Sequence, residues 1–197
     1  SYLKDLGFNM DFAPDADVIT NPENKVIGNR SFGTDPQLVG DMVSAAVKGF
    51  RDQAMASCIK HFPGHGGTKG DTHEGYAYTD RTVEQMESAE LVPFRSGIEA
   101  GVEFIMASHI SAPNTPAGDT PASLSSYMLT DLLREQMGYQ GLVITDAMNM
   151  GAISQQYSSA QAAVQAFQAG ADMILMPENF TEAYNGIPQA VQSGQIT

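Results

Sequence analysis

Three short segments of this chain carry residue types that could do chemistry. They are the pair Lys60-His61 at the end of an apolar run, the pair Asp71 and His73 in the loop after it, and Asp146 at the end of another apolar run. A carboxylate beside an imidazole fixes its tautomer and stabilises the imidazolium form. A carboxylate that ends an apolar strand is a candidate nucleophile, base or metal ligand. The pattern therefore predicts a site for proton transfer combined with covalent or metal-assisted catalysis.

The Asp71–His73 pair is separated by a single residue. In an extended segment both side chains would point to the same side of the chain, within reach of each other. Surface pairs of this kind are mostly inert, but the nearness of Lys60-His61 favours a function here. Pro63 and Gly64, between the two pairs, predict a tight loop.

The other polar candidates each have a structural alternative. Asp146 could cap a following helix instead of acting on a substrate. Arg30 lies in a short segment between two glycines and could be a surface cation. His109, at the end of the third apolar run, lines the site or packs behind it. Cys58 lies in an apolar run and is expected to be a buried structural thiol.

Short apolar runs alternate with helical patterns along the chain, which is typical of βα units on a parallel sheet. The runs are near-continuously apolar, as in a sheet covered on both faces. The predicted strands are Phe8–Phe12, Ala56–Phe62, Val102–Ser108, Leu142–Thr145 and Met173–Met176. The predicted helices begin after Asp35, begin near Thr82 with a break at Pro93, and span Ser126–Met137, Ser159–Ala169 and Thr181–Ser193.

The long polar loops nearly all follow strands, whereas the links from helix to strand are short. Loops at the carboxyl ends of parallel strands are where (β/α) barrels and open α/β sheets build their active sites. The candidate residues are therefore expected on one rim of the sheet. The loops are 13–35, 63–80, 109–121 and 146–157.

The predicted fold class is α/β, with about five βα units and parallel strands. A closed (β/α)8 TIM barrel needs eight units, so the pattern leaves an open sheet and a segment of a barrel as alternatives. The chain begins with Ser1 and not with Met, close to a predicted interior strand, so we expect it to be a segment of a longer protein. Missing strands would leave two unpaired sheet edges, and we expect such a truncated barrel to self-associate or to be marginally stable.

The bulk composition argues against several classes of partner. A formal net charge of −13 over 197 residues argues against nucleic acid, because binding needs clustered Lys and Arg. No apolar run reaches about 18 residues, so no membrane span is predicted. A single cysteine excludes an intrachain disulfide framework. The compartment stays open between cytoplasmic and secreted.

Several of these segments, in order along nearly the whole chain, resemble glycoside hydrolase family 3 and its β-N-acetylglucosaminidase branch. The resemblance implies a TIM-barrel catalytic domain, of which residues 1–197 would run from about the third strand to just after the seventh. It implies a small N-acetylglucosamine-containing glycoside as substrate, preferred over a glucoside, with no cofactor and no metal. The segments are Asn9-Met10-Asp11-Phe12-Ala13-Pro14, Gly28-Asn29-Arg30-Ser31-Phe32-Gly33, Lys60-His61-Phe62-Pro63-Gly64-His65-Gly66, Asp71-Thr72-His73 and Ile144-Thr145-Asp146-Ala147-Met148.

The same resemblance implies a role for each candidate residue. Asp146 matches the nucleophile that forms a covalent glycosyl-enzyme, His73 matches the general acid/base, and Asp71 matches the residue that orients it. An imidazole with an ordinary pKa of about 6.5 can both donate and accept a proton near neutral pH. The residues implied to hold the sugar are Arg30, Lys60 and His61, and those implied to shape the loops or pack behind the site are His65, His109 and Met148.

Other functions stay open on the residues alone. A metal-dependent hydrolase could use His61, His65, Asp71, His73 and Asp146 as ligands, although their spacing matches no common zinc motif. A non-catalytic sugar-binding segment is a second alternative, because the barrel is expected to be incomplete. Phosphate in place of water as the acceptor would make the enzyme a phosphorylase. The aglycone preference stays undetermined.

Overall fold

The chain folds into a parallel four-stranded sheet with helices packed on it. A computed structural model describes residues 2–196. The strands lie side by side in chain order, and each neighbouring pair is parallel. This order is that of successive βα units, so the α/β fold class is confirmed. The strands are β1 (Met10–Asp11), β2 (Ala56–Phe62), β3 (Phe104–Ala107) and β4 (Leu142–Thr145).

The predicted fifth strand, Met173–Met176, is wrong as a strand. The segment runs beside β4 but makes a single isolated bridge, between Ile144 and Met173. Among residues 2–196 no further strand pairs with its outer side. The φ angle of Met176 is +45°, which takes the backbone out of the extended region. The predicted first and third strands are also longer than β1 and β3.

The helices mostly begin and end where the sequence predicts. Asp35 accepts a bond from Leu38 N at 2.9 Å, and Thr82 forms a capping box. Pro93 stands in the first turn of a second helix, which confirms the predicted break. The helices are Tyr2–Asp5, Pro36–Asp52, Val83–Glu87, Val92–Glu99, Gly151–Ser154, Ser159–Ala169 and Phe180–Gln192, with a π-helix at Tyr127–Gln136 and 3-10 turns at Gly28–Arg30 and Ala122–Leu124.

The helix predicted over Ser126–Met137 is present at Tyr127–Gln136, with Ser126 in the N-cap position. Ser126 already has helical dihedral angles and makes no side-chain cap bond. Instead the Ser125 hydroxyl accepts from Met128 N at 3.4 Å. No helix within residues 2–196 has the length and apolar character needed to cross a bilayer.

The core lies between the sheet and the helices that cover it. Phe62, at the end of β2, packs edge-to-face on Phe94 with ring centroids 5.3 Å apart. Each such buried ring stabilises the fold by about 1.5–3 kcal/mol. Cys58 is buried as expected, and burial raises the pKa of its thiol to about 12. This packing holds the strand end that carries Lys60 and His61.

Candidate active site

His61 is held by two carboxylates that the sequence analysis missed. Asp17 is fully buried, and its Oδ2 lies 2.7 Å from His61 Nδ1. Burial by itself would lower the pKa of His61, but the Asp17 charge beside it prevails and raises that pKa. Burial likewise opposes ionisation of Asp17, yet His61 holds the pKa of Asp17 below its usual value. The pair is therefore an imidazolium–carboxylate pair inside the protein.

The second carboxylate, Asp15, is less well satisfied. Its Oδ1 accepts from Asp17 N at 3.0 Å, and its Oδ2 lies 3.9 Å from His61 Nδ1. That Oδ2 is buried and has no hydrogen-bond partner within the part of the chain that the structure describes. Burial, and then the charge of Asp17, raise the pKa of Asp15 to about 7. The available sequence signal was the Asp-x-Asp spacing just after the first apolar run.

These same three residues are the candidate cation ligands of the site. Asp15, Asp17 and His61 offer ligand atoms within 4.8 Å of one another, and no other such group occurs in residues 2–196. The ligand set considered from the sequence, which combined His61 with His65, Asp71, His73 and Asp146, is not brought together in this way. His61 Nδ1 and Asp17 Oδ2 already satisfy each other.

His65 connects the β2 loop to the Asp71–His73 turn. Its backbone N–H donates to Asp17 Oδ1 at 2.5 Å. Its ring nitrogens lie 2.7 Å from Thr68 Oγ1 and 3.1 Å from Thr72 Oγ1. Burial lowers the pKa of His65, so the ring is neutral and both nitrogens serve the loop.

Asp71 and His73 meet, but in a turn and not in the extended segment that we predicted. Asp71 Oδ1 accepts from His73 N at 2.9 Å and lies 2.7 Å from His73 Nδ1. An Asp side chain commonly bonds the backbone two residues on, and this favours the turn. Burial by itself would raise the pKa of Asp71. The hydrogen bonds from the His73 backbone and ring outweigh burial and lower that pKa. The His73 side chain is 63% exposed, and its Nε2 has no partner among the described residues.

The turn is docked on the loop that follows Asp146. Ala152 N donates to Thr72 O at 3.2 Å, and Gly151 N donates to His73 O at 3.3 Å. The side chain of Gln155 donates to Glu74 O at 3.1 Å. These bonds join the loops after β2 and β4 on one rim of the sheet.

Asp146 follows β4 and is half-buried. Its Oδ1 accepts from Ala147 N at 2.8 Å, whereas the next helix, Gly151–Ser154, has no side-chain cap. The helix-capping alternative is therefore wrong. The negative charge of Asp146 contributes to the raised pKa of His61. It also acts to raise the pKa of His65, against the larger lowering by burial.

His109 and Met148 support this loop from behind. His109 is buried, with Nδ1 2.8 Å from Ser123 Oγ and Nε2 3.0 Å from Ala147 O. Burial lowers the pKa of His109, so the neutral ring donates from Nε2 to that carbonyl. Met148 lies in the hydrophobic core, and its N–H donates to Leu175 O at 2.9 Å.

Lys60 and Arg30 are the two cations near the Asp15–Asp17–His61 cluster. Lys60 is half-buried and borders an open groove with Phe8 and Met10. Arg30 is exposed, and its guanidinium bonds the carbonyls of Val26 at 2.9 Å and Ile27 at 3.3 Å. Its charge also opposes the rise in the pKa of Asp15. The rim thus combines cations, a half-buried carboxylate and an exposed imidazole backed by a carboxylate, a set suited to acid–base and nucleophilic chemistry.

Known proteins that are similar to this chain in sequence or in structure point to one family. Beta-hexosaminidase A of Pseudoalteromonas piscicida is 39% identical over 186 residues, which are 89% of this chain and 31% of that protein. A glycoside hydrolase family 3 β-N-acetylglucosaminidase from Paenibacillus sp. str. FPU-7 matches with a TM-score of 0.95 and 42% identity, over 99% of this chain and 38% of that one. The β-glucoside phosphorylase BglX bound to 2FGlc matches with a TM-score of 0.91 and 28% identity, over 98% and 36%.

The chain spans about a third of the length of each of these relatives. The family model described as the glycosyl hydrolase family 3 N-terminal domain matches residues 1–197, the whole chain. Its fold is that of part of the TIM-barrel domain found in the matching structures. On this match, the chain belongs to glycosyl hydrolase family 3.

Proposed function

We propose that this chain forms part of the catalytic domain of a retaining β-N-acetylglucosaminidase, which removes terminal β-linked N-acetylglucosamine. Relatives named as β-hexosaminidases and β-N-acetylglucosaminidases support the substrate class. Within a complete barrel, residues 1–197 would run from about the third strand to just after the seventh.

In the first step His73 acts as the acid. Its Nε2–H donates the proton to the glycosidic oxygen while the Asp146 carboxylate attacks the anomeric carbon. The bond from that carbon to the leaving group breaks, and a bond to Asp146 forms. Asp71, bonded to Nδ1, holds the ring and stabilises its charged form.

In the second step His73 acts as the base. It takes a proton from a water molecule whose oxygen attacks the anomeric carbon and releases Asp146. Two displacements at one carbon retain the β configuration. Arg30, Lys60 and His61 hold the sugar, and the raised pKa of His61 suits it to donate to a sugar oxygen.

The observation that carries this proposal is the docking of the Asp71–His73 turn on the loop after Asp146. Bonds to the carbonyls of Thr72 and His73 tie the proton donor to the loop that starts with the proposed nucleophile. A retaining glycosidase needs both groups at one site, on the two sides of the scissile bond.

The test measures nitrophenol release from the β-N-acetylglucosaminide and the β-glucoside by the complete gene product. We expect the acetamido substrate to be preferred, and Asp146→Asn to abolish its turnover. Asp131→Asn, which removes an exposed carboxylate of the helix Tyr127–Gln136, is the matched control and should leave turnover unchanged. A protein indifferent to the loss of Asp146 would contradict the proposal, and activity that survives prolonged chelation would remove the metal-dependent alternative.

A second candidate acceptor is phosphate. The family includes a solved structure named as a β-glucoside phosphorylase. In the proposed site the acid/base is an exposed imidazole, which repels an anion less than a carboxylate would. Turnover measured in phosphate and in a neutral buffer tests this, with sugar phosphate as the expected product. Equal rates and free sugar alone would leave hydrolysis as the reaction.

A further inference from the structure

Tyr76 presents an aromatic face to solvent while both ends of its side chain are held. The residue is 49% exposed. Its ring stacks on that of Tyr78, with centroids 5.5 Å apart and planes at 23°. Its hydroxyl donates to Asp119 Oδ1 at 3.0 Å. A ring that is already ordered in the free protein loses little conformational entropy when a ligand packs on it, so Tyr76 offers a prepared contact surface.

The support beneath Tyr76 is built from two loops. Tyr78 forms an antiparallel bridge with Lys69, which closes the hairpin that carries Asp71 and His73. Tyr78 also pairs with Ser111 in the loop after β3, and the Ser111 hydroxyl donates to Asp119 O at 2.8 Å. Tyr76, Tyr78 and Asp119, here named the tyrosine platform, are therefore clamped between the loops after β2 and β3.

The two tyrosines of the tyrosine platform and the proposed acid/base are carried by one hairpin. Tyr76 follows His73 by three residues in the same hairpin, and the hairpin tip is docked on the loop after Asp146. The proton donor of a glycosidase stands beside the oxygen of the leaving group, so the leaving group must lie on the donor's side of the site. This step rests on the proposed function.

We propose that the tyrosine platform is the subsite for a leaving-group sugar, and that the sugar is a neutral pyranose. The C–H face of a pyranose ring packs on an aromatic ring, while its hydroxyls stay in water. The exposed carboxylates of Asp119, in the platform, and of Glu74, two residues before Tyr76, oppose an anionic leaving group. The cation nearest the platform, Lys69, lies 5.8 Å from the centroid of the Tyr78 ring and is paired with Asp80. The substrate class is thus a β-linked N-acetylglucosamine on a second neutral sugar.

The experiment compares two substrates of the complete gene product that differ only in the leaving group. They are the β-1,4-linked N-acetylglucosamine disaccharide and methyl β-N-acetylglucosaminide. Tyr76→Ala should raise KM for the disaccharide about tenfold and leave the methyl glycoside within about twofold. Tyr76→Phe keeps the ring and should stay within about threefold on both.

Tyr184→Ala is the matched control, because Tyr184 is 66% exposed and also stacks on a neighbouring ring, that of Phe180. It should change neither KM. Thermal melts of each variant verify folding. A wild-type protein that cleaves neither substrate contradicts the proposed function itself. A wild-type protein that cleaves both, with equal losses on both in Tyr76→Ala, overturns the subsite alone.

The preference for a neutral leaving sugar is tested with a disaccharide whose second sugar carries a lactyl ether and therefore a carboxylate. We expect its KM to exceed that of the neutral disaccharide, and Asp119→Asn to narrow the difference. Tighter binding of the anionic substrate by the wild-type protein would overturn the neutral class.

Discussion

Asp17 and His61 form a buried ion pair, 2.7 Å from Oδ2 to Nδ1, that joins the loop after β1 to the end of β2. Asp17 Oδ1 also accepts the backbone N–H of His65. One carboxylate therefore fixes both the imidazole at the strand end and the start of the loop after it. His61 is thus buried beside a carboxylate, whereas His73, on the same rim, is exposed.

Asp17→Asn should destabilise the fold by about 3 kcal/mol, because it leaves an imidazole adapted to a buried charge without its partner. Urea denaturation measures this loss. Asp80→Asn, which removes an exposed carboxylate paired with Lys69 at 2.5 Å, is the control and should cost far less, because solvent screens this pair. Equal losses in the two variants would contradict a dominant role for the buried pair.

Asp15 should make the stability of the protein fall with rising pH. Its pKa is about 7 in the folded state against 3.8 ordinarily, so between these values the unfolded chain loses the proton first. Unfolding is then favoured as pH rises across that window, and the raised pKa of His61 acts in the same direction at higher pH. The charges that face Asp15 are those of Asp17, His61 and Arg30.

Asp15→Asn should therefore flatten the lower part of this pH profile and stabilise the protein near pH 8 more than near pH 5. Urea unfolding at both pH values measures the difference. If the stability of variant and wild type changed with pH in parallel, Asp15 would not be the cause of the pH dependence.

Asp71→Asn should reduce kcat/KM for the methyl glycoside about a hundredfold or more. His73 would lose the acceptor that orients its ring and stabilises its charged form. A dinitrophenyl leaving group needs little protonation, so there the loss should be about tenfold or less. Steady-state kinetics on both substrates give the ratio. A loss that does not depend on the leaving group would argue against an acid role for His73.

Gly66→Ala should destabilise the protein by about 2 kcal/mol, because the added Cβ would collide with the backbone carbonyl of Val18. The loop that carries His65 would have to move, and turnover should fall with it. Gly49→Ala is the matched control: nothing lies within 4 Å of its Cβ, and it is inside the helix Pro36–Asp52. That change should be neutral or stabilise by up to about 1 kcal/mol. Urea denaturation of both variants measures the two changes. A Gly66→Ala variant as stable as the wild type would contradict the prediction.

The 197-residue chain by itself should self-associate. In the described residues β1 has two residues, and no strand pairs with the outer side of the segment 173–176 that borders β4, so both edges expose backbone groups. Exposed apolar side chains such as Phe180 and Met176 add to this. Light scattering should show dimers or larger species. A monomer that melts cooperatively in calorimetry would contradict the prediction.

Local signals in the sequence were enough for much of the architecture. The helix starts after Asp35 and near Thr82, and the end of the helix at Ala169, depend on bonds and dihedral angles within a few residues, and each is present. The strand Leu142–Thr145 was predicted with its bounds, since a buried parallel strand needs a continuous apolar run. The rim position of Asp146 follows from that strand.

Tertiary structure alone decided how the polar residues are paired. Asp17 and His61 are 44 residues apart, and nothing local in the chain marks Asp17 as the partner of a histidine. The same holds for the contact of His109 with Ala147, and for the failure of Met173–Met176 to form a ladder. The sequence by itself determined the elements and the rim that bears the chemistry, because these depend on local propensity and periodicity. Which side chains meet, and which are charged, depends on burial and distance, which exist only after the strands are packed.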